Sequence, residues 1–104
     1  MAFSDNLKQL PAVSHLAGLQ LIDAAGAVIA TIENKPGQAG SLAVYAALAD
    51  ASGAIDASAA QRGLEIYAEH TADAQANPGK HPNIDRLIAL KAEGGRLTVK
   101  LLPA

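Results

Sequence analysis

Two of the three histidines in this 104-residue chain fall in one stretch, GLEIYAEHTADAQANPGKHPNID, from Gly63 to Asp85. His70 has Glu69 beside it and Asp73 three residues on, and Glu69 and Asp73 form an i, i+4 acidic pair on a helical surface. His81 follows across the loop Asn77-Pro78-Gly79-Lys80, which could return it toward His70. Two imidazoles and a carboxylate (His70, His81, Asp73) suit a divalent metal such as zinc, manganese or iron(II). Without a metal, His70 and His81 with Glu69 or Asp73 could act as a general base and its orienting acid. The spacing does not force either chemistry. No HExxH pattern is present, and a hydrogen-bonded helix histidine beside a solvated acidic face accounts for the same letters.

A second chemistry, anion binding, is written twice. ENKPGQAGS, Glu33 to Ser41, places Lys35, Gly37, Gly40 and Ser41 between a strand pattern and a helix pattern, with Ser41 expected as the helix N-cap. NPGKHP repeats the theme with Lys80 and His81 ahead of another helix start. Glycine lets a ligand approach the backbone, and the free N–H groups of a helix N-terminus favour negative charge. Neither loop has phosphate-loop spacing, GQAGS has its lysine before the glycines, and a plain strand-to-helix connection accounts for the same letters. If the two loops converge, both lysines and both helix ends face one small anionic ligand.

These groups must be positioned by elements that the sequence punctuates clearly. Phe3, Leu7 and Leu10 lie on one side of a short N-terminal helix, with Ser4 as its expected cap and Pro11 as its stop. His15 sits alone in a connection. LQLID and AVIATIE flank Asp23-Ala24-Ala25-Gly26 and read as a β-hairpin, with Leu19 and Leu21 on one face and Val28, Ala30 and Ile32 on the matching one. Ser41 opens a helix that ends before Gly53. Asp56 caps a long helix from Ala57 to about Ala76, in which Gly63 is either the site of a close crossing or a tolerated defect. Pro82 occupies the first position of the next helix, which ends at Gly94-Gly95. RLTVKLL then alternates, with Leu97, Val99 and Leu101 directed inward. The predicted order is α-β-β-α-α-α-β: one α+β domain spanning residues 1–104, a three-stranded, mainly antiparallel sheet with helices packed on one face.

Composition removes several functions. There is no cysteine, so thiolate zinc sites and cysteine nucleophiles are excluded. A net charge of -2, with no basic patch and only three aromatic residues, argues against nucleic-acid binding. The apolar run Ala24 to Ile32 is far short of the ~18 residues that a membrane span requires, and Asp5 and Lys8 interrupt any signal-peptide core. The expectation is a cytoplasmic protein with no membrane partner. Its alanine-rich helices and low charge density point to a homo-oligomer.

ENKPGQAGSLAVYAAL, followed by AEHTADAQANPGKHPNIDRLI, resembles a small family of uncharacterised bacterial proteins catalogued as a domain of unknown function, DUF2322, from FSDNL to LTVKLL. The resemblance implies a stand-alone bacterial cytosolic protein and supplies no substrate, cofactor or catalytic residue. Three functions remain open from sequence. They are a domain that binds a small anion, an enzyme or metal protein built on His70 and His81, and a homodimeric interaction module.

Overall fold

Turn chemistry and alternation build the sheet, and the helices are laid against one side of it. The computed structural model describes residues 2–49 and 53–104. Its elements are α1 (Phe3–Leu7), β1 (Leu16–Ile22), β2 (Val28–Glu33), α2 (Ala39–Leu48), β3 (Ala54–Asp56), α3 (Ala57–Tyr67), α4 (Glu69–Ala76), α5 (Pro82–Glu93) and β4 (Arg96–Pro103). The strands form an antiparallel sheet in the order β2-β1-β4-β3. The hairpin forms as its turn residues require. Asp23 Oδ1 accepts hydrogen bonds from the Ala25 and Ala27 amides, both 2.9 Å, and Gly26 takes a φ of +87°.

The sheet has four strands rather than three. The additional one, β3, pairs Ala54, Ile55 and Asp56 with Thr98, Leu97 and Arg96. Three residues are too few to show alternation, and the strand runs straight into a helix. Its last residue, Asp56, is the N-cap of α3, with its carboxylate accepting from the Ala59 amide at 2.8 Å. Residues 50–52, where the sequence places the end of the preceding helix, lie outside the described residues. Gly53, just after them, has a positive φ and donates to the Ala49 carbonyl at 2.7 Å.

One face of the sheet makes the core. Leu19, Leu21, Ile32, Ile55 and Leu97 are buried in one cluster with Leu42, Tyr45, Leu48, Ala60, Leu64 and Leu87 from the helices. The opposite face carries Gln20, Thr31, Thr98 and Lys100, all exposed or half-buried. Two inward expectations fail at the margins. Val28 is 51% exposed, because the β1–β2 register shifts between Leu21 and Ile22. Leu101 is 48% exposed, at the edge of a crevice that Pro11, Val13 and Ala46 of α2 also line.

The helices depart from prediction at three points. α1 begins at Phe3 with Ala2 before it, so Ser4 lies inside the first turn and caps nothing. α2 begins at Ala39, which puts Ser41 in its first turn instead of at its cap. The long helix breaks at Ala68, the one described non-glycine residue with a positive φ, +52°, and becomes α3 and α4. Gly63 does permit close crossing. A Cβ there would come within 2.7 Å of Leu87 Cδ1 and 2.8 Å of Leu48 Cδ1, so α3 lies tight against α5 and α2. Among the described residues, no helix is long and apolar enough to cross a membrane.

Candidate functional site

The break at Ala68 shapes one wall of a cleft. A chain turning at a non-glycine residue in this conformation is strained, and the carbonyls it frees need donors. Thr71 Oγ1 donates to the Leu64 carbonyl at 2.6 Å, and Asn6 Nδ2 donates to the Ile66 carbonyl at 2.9 Å. After the turn, Glu69 meets the start of α1, where its Oε1 accepts the Phe3 amide at 2.8 Å. That hydrogen bond holds the Glu69 carboxyl below its ordinary range. The His70 ring then stands edge-on to Phe3, centroids 5.1 Å apart, and Phe3 stacks on Tyr67 at the same separation.

The other wall comes from the second loop and α5. Gly79 takes a φ of +92°, and its amide donates to Asp85 Oδ2 at 2.9 Å. Pro82 takes the first helical position as expected, directly after His81. Behind this wall, the buried Tyr45 hydroxyl donates to the Asn83 carbonyl at 2.5 Å. Arg86 Nη1 donates both to Tyr45 Oη at 3.2 Å and to Asn83 Oδ1 at 2.8 Å. Burial raises the Tyr45 hydroxyl pKa, so it serves as a neutral donor.

Both Pro-Gly loops therefore end on the same cleft of about 270 Å³. Gly37 borders it from the first loop and Gly40 and Ser41 from the start of α2, while Lys80 and His81 border it from the second loop and Pro82 from the start of α5. Ser41 Oγ accepts a hydrogen bond from the buried Tyr67 hydroxyl at 2.7 Å, which leaves its own proton available. The Ala39 and Leu42 amides of α2 donate to the Lys35 and Gln38 carbonyls, and the Ile84 and Asp85 amides of α5 donate to His81. Among the described residues, the Gly40, Ser41 and Asn83 amides have no acceptor.

The predicted site residues divide accordingly. His70 and His81 come together, with ring centroids 5.9 Å apart and planes tilted by 54°. Asp73 sits behind His81, with its Oδ2 2.6 Å from His81 Nε2 and 2.9 Å from Lys80 Nζ. These two partners, His81 first, hold the Asp73 carboxyl down at about 2. The metal set is not supported. The Asp73 oxygen that meets His81 already faces an ammonium, which would repel a cation, and no group of three His, Cys, Asp or Glu among the described residues is placed to hold a metal. Glu69 turns to the α1 amide rather than to the histidines. Lys35 also leaves the site, because it precedes Pro36-Gly37 and folds back 2.5 Å from Glu33 Oε2, outside the cleft lining.

Residues 3–101 match a family model described as "Uncharacterized protein conserved in bacteria (DUF2322)". The chain belongs to the DUF2322 family. No curated protein and no solved structure matches it. The DUF2322 resemblance read from the irregular Pro-Gly loops thus extends over nearly the whole chain. Sequence reasoning missed Phe3, Tyr67 and Asn83 as cleft residues. Phe3 reads as an apolar position of the N-terminal helix, Tyr67 falls within the long predicted helix, and Asn83 carried no signal beyond its place behind Pro82.

Proposed function

We propose that the cleft binds a small anionic molecule, of the size of phosphate, sulfate or a small carboxylate. The observation that carries this reading is that two separate Pro-Gly loops end on one cleft. Each delivers a helix N-terminus carrying about half a positive charge, and Gly37 and Gly40 offer no side chain to hold a ligand off. Lys80 and Ser41 add side-chain donors, and His81 adds one when protonated. An incoming anion shares Lys80 with Asp73. Titration with inorganic phosphate, followed by amide NMR, should move the signals of Gly37 to Leu42 and of Gly79 to Ile84 together with one shared affinity, which added salt weakens. A response from one loop alone, or unrelated affinities, removes the shared site.

A second reading, acid–base chemistry, is favoured by the 2.6 Å contact between His81 Nε2 and Asp73. With Nε2–H donated to the carboxylate, Nδ1 becomes the ring nitrogen free to accept a proton. Turnover of p-nitrophenyl phosphate by the protein, lost in His81→Gln, would support it. Turnover unchanged in that variant would end it.

A further inference from the structure

The chain has one Phe and two Tyr, and two of these three aromatic residues, Phe3 and Tyr67, line the cleft. His70 joins them, so three flat rings meet on one wall, Phe3 on Tyr67 with planes 24° apart and His70 edge-on to Phe3 at 87°. Tyr67 is buried, but Phe3 and His70 keep part of their surface open. Pro82 and Ile84 add further carbon to the lining. A volume of about 270 Å³ is close to the lower edge of the ~300–1,000 Å³ typical of small-molecule sites, and a bare inorganic anion fills only part of it.

We infer that the ligand is an anion carried on a flat ring, an aryl phosphate or an aryl carboxylate, with its charged group at Lys80 and the loops and its ring against Phe3 and His70. This inference rests on the anion reading above and adds the class of molecule. Aromatic rings attract one another in offset or edge-on arrangements, an advantage that a saturated substituent of the same charge lacks. Phe3 is held for that task from two sides, by Tyr67 against its ring and by Glu69 through its amide.

The test compares two probes of equal charge, phenyl phosphate and methyl phosphate, by calorimetry on the full chain. Phenyl phosphate should bind at least about fivefold more tightly. Phe3→Leu should erase that advantage, bringing the phenyl phosphate affinity down to that of methyl phosphate. If Phe3→Leu lowers the melting temperature enough to show that α1 has come loose, His70→Leu carries the same comparison. Equal binding of the two probes overturns the aryl inference and leaves the anion reading intact. No binding of either overturns both. A phenyl preference that survives both variants places the ring elsewhere and overturns the inference.

Discussion

The two Pro-Gly loops use nearly the same letters, NKPG and NPGK, and the structure treats their lysines in opposite ways. In the first, lysine precedes the turn and stays with the strand that it leaves, paired to Glu33 in solvent. In the second, lysine follows the turn, arrives on the helix side and reaches both Asp73 and the cleft. The glycines behave alike, Gly37 at +89° and Gly79 at +92°, so the backbone turn is shared and the charge is not. A lysine's place before or after the reversal decides which side of the turn receives it. Composition alone would have counted both as ligands.

The loops are also pinned by different tyrosines, and breaking each pin should produce the largest contrast. Tyr45→Phe leaves the Asn83 carbonyl and an Arg86 N–H short of a partner behind the second loop, and should cost about 1–3 kcal/mol. Tyr67→Phe removes only the bond to Ser41, whose hydroxyl water can reach from the cleft, and should cost about 1 kcal/mol or less. Urea denaturation of both variants measures the difference. Equal costs would mean that the second loop is no more tightly fastened than the first.

A smaller effect separates the lysines. Lys80→Ala should weaken phosphate binding by roughly three- to fivefold, as expected for a partly exposed charge, while Lys35→Ala should leave it unchanged. A loss in Lys35→Ala as large as that in Lys80→Ala would show that the first lysine swings into the cleft on binding.

The smallest expected effect is on acid stability. The folded Asp73 carboxyl is held at about 2, below its ordinary 3.8, so its contribution is present above about pH 4 and is lost as pH falls through about 2. Asp73→Asn should flatten this part of the acid limb. Glu69, which is lowered by the Phe3 amide, keeps a remainder in the same direction. Thermal melts of both proteins between pH 2 and 5 check it, and identical acid limbs would show that the contacts around Asp73 contribute nothing.

What the sequence determined by itself is what local chemistry dictates. Asp23 and Gly26 specify the hairpin turn, Asp56 a helix cap and Pro82 a helix start, because each acts on backbone within a few residues. The alternation in Arg96 to Val99 gives a strand with one wet face for the same reason. Only tertiary structure could decide the rest. β3 is too short to have a pattern and exists because Arg96 to Thr98 offer it partners. The break at Ala68 has no glycine or proline to announce it, and its freed carbonyls are satisfied by Asn6 and Thr71. Ser41 is a good cap by type, but it is drawn into the first turn of α2 with a buried tyrosine donating to it. The meeting of His70 with His81, and of one Pro-Gly loop with the other, depends on long-range packing of α3 against α2 and α5 at Gly63, where contact energy is summed over residues far apart in the chain.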